Sequence, residues 1–128
     1  MTPFGEKIRS LRAERGVTLS AMAQVLGVSA AYLSALEHGR RGRPSWYLIQ
    51  RIIAYFNVIW DEAEDLVRLA NLSHPRITID TARLSPAATR LANELAERIR
   101  ELEPQDLAEM SAILARTQAR KPARRSRR

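Results

Sequence analysis

Residues 18–39 read TLSAMAQVLGVSAAYLSALEHG. Within them two short runs carry apolar residues at helical spacing, Met22, Ala23 and Leu26, then Leu33 and Leu36. Thr18 precedes the first run and Ser29 the second. A hydroxyl at such a position accepts a hydrogen bond from an amide two or three residues on, one of the donors that a helix start leaves unpaired. Gly27 suits the left-handed backbone that stops the first helix, and Gly39 does the same for the second. The pattern predicts helices over about Leu19 to Leu26 and Ala30 to His38, joined by a tight turn.

Upstream, Phe4, Ile8 and Leu11 share one face of a helix from about Pro3 to Glu14. Pro3 fits its first turn, where no amide hydrogen is needed, and Gly16 ends it. Downstream comes a basic loop, Arg40-Arg41-Gly42-Arg43-Pro44. Ser45 then caps a fourth helix whose Leu48, Ile49, Ile52, Ile53 and Phe56 are core residues, and Asp61 is expected to cap a fifth carrying Leu66, Leu69 and Ala70. All five glycines lie in the first 42 residues, where short helices must turn sharply. The triplet Ile77-Thr78-Ile79 is β-prone, long enough for one short strand and no sheet of its own. Ser85-Pro86 starts a further helix with Ala88, Leu91, Leu95, Ile99 and Leu102 on one face. Glu103-Pro104 breaks it, and a helix from Pro104 to about Thr117 carries Leu107, Met110, Ile113 and Leu114. The two read as a helical hairpin.

The expected fold class is all-α. A five-helix domain spans residues 1–72, a linker with one short strand 73–84, and a helical hairpin 85–117. Residues 118–128, ending KPARRSRR, form a basic tail expected to be disordered without a partner. Aromatic residues make up only 5% of the chain, which points to aliphatic helix packing.

The formal charge of +7 is unevenly placed. Residues 1–60 hold eight basic and three acidic residues, a balance of +5. Residues 61–115 hold six and eleven, a balance of −5, and residues 116–128 hold seven basic residues and no acid. Basic segments concentrate near polyanions such as nucleic acid phosphates. An acidic one is repelled from that surface and faces solvent or another protein.

Enzymatic chemistry lacks parts. Cysteine is absent, and His38 and His74 show no paired-ligand spacing, so metal ligation and a nucleophilic triad are unsupported. There is no Gly-rich phosphate loop, and no cofactor or metal is called for. Charged residues interrupt the first twelve positions where a signal peptide needs an apolar stretch, and YLIQRIIAYFNVIW is broken by Gln50, Arg51 and Asn57. The expectation is a soluble cytoplasmic protein of a bacterial or phage nucleoid, with no membrane partner.

Two short helices around a Gly turn, the second starting at a Ser cap, describe a helix-turn-helix. From Phe4 to about Asn57 the chain resembles the Cro/repressor-type (XRE) helix-turn-helix family. IRSLR, Gly16, MAQVLGVS, YLSALEHG and RPS before an apolar helix carry the likeness, with Ala23, Gly27, Val28, Ser29, Leu33, Leu36, Glu37, Gly39 and Pro44 in place. The resemblance implies a transcriptional regulator on double-stranded DNA, its second motif helix in the major groove. It implies that Ala30, Ala31, Tyr32, Ser34 and Ala35 lie at or near the bases. Three of these five are alanine, which offers only a methyl, so Tyr32 and Ser34 are the hydrogen-bonding candidates. The ring of Tyr32 has the alternative of partial burial against the preceding helix. Phosphate contacts are implied at Thr18, Ser29, His38, Arg40, Arg41 and Arg43. Leu19, where the family commonly has a polar residue, cannot donate a side-chain hydrogen bond. Arg12 and Glu37 match a pair that ties the first and third helices together in this family.

Repressor-type proteins usually read palindromes as dimers. Leu91, Leu95, Ile99, Leu102, Leu107, Met110 and Leu114 are the expected homodimer surface; the alternative is a hairpin folded back on the fifth helix. Three functions compete: a dimeric sequence-specific regulator, a repressor in preference; an antitoxin or adaptor of the same fold that also binds a partner protein; and a non-specific DNA-coating protein driven by its tail.

Overall fold

The computed structural model describes residues 1–119, and every regular element among them is helical. The chain divides into two units, Met1–Thr78 and the part from Ile79 onward.

The first unit holds α1 (Pro3–Arg15), α2 (Leu19–Leu26), α3 (Ala30–Glu37), α4 (Trp46–Phe56) and α5 (Trp60–Asn71). Hydroxyls start four of them: Thr2, Thr18, Ser29 and Ser45 accept from Gly5, Ala21, Tyr32 and Leu48 amides at 3.0–3.1 Å. Gly16 and Gly27, with φ of 65° and 76°, end α1 and α2 in the left-handed region open to a residue without Cβ. Asn57 closes α4 in the same conformation.

One core joins the five helices. Phe4, Ile8 and Leu11 of α1 meet Met22, Leu26, Leu33 and Leu36 of the α2–α3 pair, while Ile49, Ile52 and Phe56 of α4 and Leu66 of α5 close it from the other side. Each such side chain contributes about 1.5–3 kcal/mol by leaving water. Helix α1 lies against α3 and α5, and α4 against α2 and α5. No single helix among the described residues is long and apolar enough to cross a membrane. The consecutive pair α2 and α3 has the length and composition of a span only when taken together across a 110° bend, and its Met22, Leu26, Leu33 and Leu36 are core.

Helix α5 corrects one expectation. Its start is Trp60, with Ile59 in the cap position and no side-chain cap; Asp61 lies inside the first turn. Val58 is buried just after the chain turns at Asn57, so the helix begins before Asp61 can cap it. Asp61 and Glu62 instead favour the positive end of the helix dipole. Trp60 takes a φ of 54°, a strained value for a bulky residue, and is 82% exposed. Helix α3 likewise stops at Glu37, one residue short of the expected end, with His38 as its cap.

In the second unit α6 spans Pro86–Arg98, a 3-10 turn follows over Ile99–Glu101, and α7 spans Pro104–Ala119. Ser85 accepts from the Ala88 amide and Pro86 occupies the first helical position. Ile99 and Leu102 therefore lie outside α6, which was expected to continue to Leu102. Glu103 precedes a proline and is steered out of helical backbone, so the helix tightens early, with the Leu102 amide bonding back only to the Ile99 carbonyl. The expected strand at Ile77–Ile79 does not form among the described residues: a lone triplet has no neighbouring strand to receive its backbone hydrogen bonds. Instead Asp80 accepts from the Ala82 amide at 2.9 Å in a side-chain-closed turn. Gln118 and Ala119, assigned to the tail, continue α7; the rest of the expected disordered tail lies outside the described residues. No residue of α6, the 3-10 turn or α7 is buried, and Leu91 and Leu114 are 57% and 68% exposed.

Gly5 marks the closest approach in the first unit. A Cβ there would collide with the backbone of Glu37 at the end of α3. Gly5→Ala should therefore lower unfolding stability by about 1–3 kcal/mol or more. Gly42→Ala, in open space, should change it little. Denaturant melts of the two variants check this.

Candidate nucleic-acid interface

The turn between α2 and α3 is built by backbone hydrogen bonds. Val28 donates to the Ala23 carbonyl at 3.1 Å, and Gly27 to Gln24 at 3.3 Å. Ser29 then resets the chain for α3. Of the residues expected near bases, Ala31 is exposed, while Ala30, Tyr32, Ser34 and Ala35 are half-buried. Ala30 and Tyr32 pack on the edge of the core, so part of the tyrosine ring is structural. The outward surface of α3 is mostly methyl groups and one ring.

The loop arginines have different surroundings. Arg43 donates from Nε to Asn71 Oδ1 at 2.7 Å and from Nη1 to the Pro44 carbonyl at 3.0 Å, which ties it to the end of α5. Arg41 lies over the face of Tyr32, its Cζ 5.3 Å from the ring centroid. Arg40 is exposed. His38 is exposed and its Nδ1 lies 2.9 Å from the Ser34 carbonyl; that oxygen can only accept, so the proton is on Nδ1 and Nε2 faces away. Thr18 and Ser29 are exposed, each spending its hydroxyl as a helix cap.

Arg12 and Glu37 meet behind this surface. Arg12 Nη2 donates to both carboxylate oxygens at 3.2 Å, and Glu37 is only 3% exposed. The Glu37 carbonyl accepts from the Thr2 amide at 3.0 Å. Thus α1 holds the last residue of α3 by its side chain and its backbone together.

Sequence reasoning alone misses Arg51, which there is no more than an interruption in an apolar helix. Its Nη1 and Nη2 donate to the carbonyls of Leu26 and Val25 at 2.8 and 3.0 Å. Those carbonyls lack partners at the end of α2, so the guanidinium closes the helix that precedes the turn. The Tyr47 ring, one helical turn earlier on α4, lies against Arg51 at 5.8 Å. A lone arginine four residues after a tyrosine is the available signal. Both line a groove of about 460 Å³ bounded by the Gly27 turn, Tyr32 and Ser45.

These features, a capped helix pair around a glycine turn with its second helix braced from behind, define a helix-turn-helix unit. The family described as a helix-turn-helix domain matches residues 3–67, and the chain belongs to it. The chain is 44% identical over 52 residues to the HTH-type transcriptional repressor RghR of Bacillus subtilis, covering 41% of this chain and 38% of that protein. It is 36% identical over 61 residues to the uncharacterized HTH-type transcriptional regulator RghRB of the same organism, covering 48% and 44%. It is 33% identical over 55 residues to its HTH-type transcriptional regulator SinR, covering 43% and 50%. The chain thus spans half or less of the length of these relatives. No solved structure matches it with significance.

Removing Arg12 would leave a buried, unpaired carboxylate. Arg12→Ala should cost about 3–5 kcal/mol of stability while leaving the bound DNA sequence unchanged. Equal denaturant midpoints for variant and parent would overturn the structural role. Arg51→Met should cost about 1.5–3 kcal/mol by orphaning the end of α2, measured the same way.

Proposed function

We propose that the protein is a sequence-specific regulator of transcription that binds double-stranded DNA as a homodimer on a two-fold symmetric operator, with α3 in the major groove. The observation that carries this reading is the braced helix pair, whose capped second helix is exposed at its start beside the arginines of residues 40–43. Ala30, Ala31, Tyr32, Ser34 and Ala35 approach the bases in it. Thr18, Ser29, His38, Arg40 and Arg43 serve the sugar-phosphate backbone, and Arg41 stands apart from them through its stack on Tyr32. Arg43 must keep or exchange its bond to Asn71 to do so. The +5 balance of the first sixty residues supports the polarity of the surface. The similarity to a protein named as a transcriptional repressor supports repression as the outcome.

Residues 1–72 form the DNA-reading domain in this reading, and the segment 85–117 assembles the pair. Support comes from the apolar residues that α6 and α7 leave uncovered: Leu91, Ile99, Leu107 and Leu114 are all more than 40% exposed, and Leu95, Leu102 and Met110 are half-buried. The same uncovered stripe supports a second reading, in which a partner protein is the occupant.

Selecting bound sites from random duplex DNA, with the mass of the full chain in solution, tests both. A symmetric site and twice the 14.5 kDa of one chain are expected. Leu91→Glu with Leu95→Glu should halve the mass and reduce affinity for the full site far more than for a half-site. A monomer that selects no sequence overturns the reading, and a tight complex with a different chain moves it to the second.

A further inference from the structure

Helix α3 has few side chains able to form hydrogen bonds to bases. Alanine stands at residues 30, 31 and 35, and Ser34 is half-buried. The deficit has a counterpart in the loop that follows. Of its three arginines, Arg43 is fastened to Asn71 and Pro44, and Arg40 has no ring beneath it. Arg41 alone is laid on a residue of α3, its Cζ 5.3 Å above the centroid of Tyr32. No hydrogen bond or ion pair engages its guanidinium among the described residues.

We infer that Arg41 is a base-reading residue, carried to the major groove by the ring of Tyr32, and that its target is the O6 and N7 edge of a guanine. This rests on the DNA-binding reading above and adds to it the residue that sets the sequence. A guanidinium held over a ring by its charge spends no N–H donor on it, so its fork stays free for other acceptors. The free fork of an arginine matches the two acceptors guanine presents in the major groove, and this pairing is the commonest specific contact between proteins and DNA. A phosphate can be met by a mobile arginine from many directions; two acceptors in one plane require the fork to be held. Tyr32 holds it, at the third residue of the helix that enters the groove. Neighbouring methyl groups at residues 30, 31 and 35 leave room for a side chain that arrives from outside the helix. Tyr32 is thus a positioning residue, acting through its ring, and Arg41 the specificity-determining one.

Site selection with the full chain, its Arg41→Ala and Arg41→Lys variants, and Tyr32→Phe and Tyr32→Leu tests this. Arg41→Ala should lose the preference for guanine at one position in each half-site. Its affinity for the best site should fall roughly 5- to 150-fold, with little loss on a site already changed at that position. Arg41→Lys should not restore it fully. Tyr32→Phe keeps the platform and should keep the preference, whereas Tyr32→Leu should weaken it at the same position. Replacing that guanine with 7-deazaguanine should weaken the parent and leave Arg41→Ala unaffected. Thermal melts confirm that each variant is folded; Arg41 is exposed and its replacement leaves the core intact. If Arg41→Ala weakens binding uniformly across sequences and lowers the salt slope by about one, Arg41 is a phosphate contact and the inference fails while the regulator reading stands. The inference fails in the same way if Tyr32→Phe loses the preference, because the hydroxyl then does the reading. A parent protein that selects no sequence overturns both.

Discussion

Glu37 ends α3, and three separate features of α1 converge on it. Arg12 grips its carboxylate, Thr2 donates to its carbonyl, and the missing Cβ of Gly5 lets the two backbones touch. A charge this deep is costly unless its partner is held in good geometry, so the pair is a condition on where α1 can lie as much as a gain in energy. Once α1 is set, Phe4, Ile8 and Leu11 fill the space behind α2 and α3. The angle of the helix pair and the exposure of its outer surface follow from that placement.

Braces of different chemistry act on the two sides of the motif. At the start of the turn Arg51 reaches across from α4 to the carbonyls of Val25 and Leu26. At the far end Arg12 holds Glu37. One cation closes a helix through backbone oxygens and the other through a carboxylate, so α2 and α3 are each fixed by an arginine from a different neighbour. The surface between them can then be poor in polar side chains, because its shape is kept from behind.

The first unit was legible because its signals are local. A hydroxyl before an apolar run and a glycine after it are consequences of single-residue geometry, and α2 is bounded by Thr18 and Gly27 as those signals dictate. Asp61 misled because capping depends on where the chain re-emerges from the core, and burial of Val58 fixes that. The β-prone triplet at residues 77–79 misled because a strand is a property of a pair of segments. Ile99 and Leu102 fit a helical period, yet the constraint that Pro104 puts on Glu103 shortens α6 before them. The role of Arg51 is not legible in the sequence since its partners are carbonyl oxygens, which every residue carries and no sequence pattern advertises. The Tyr32–Arg41 stack was hidden for a similar reason: nine positions separate its members and the loop's path joins them.

The amide of Phe4 donates to the hydroxyl of Ser73 at 2.9 Å, across 69 residues of chain. Ser73 is buried and its hydroxyl turns on to the Leu69 carbonyl, so one side chain ties the start of α1 to the end of α5. The five-helix unit therefore receives its chain and releases it at one spot. Bodies whose two connections emerge side by side can be transplanted, inserted into a host loop or circularly permuted without disturbing their interiors. The similarity to the Bacillus relatives covers 48%, 41% and 43% of this chain. A body closed in this way keeps its interior whatever chain is attached to it.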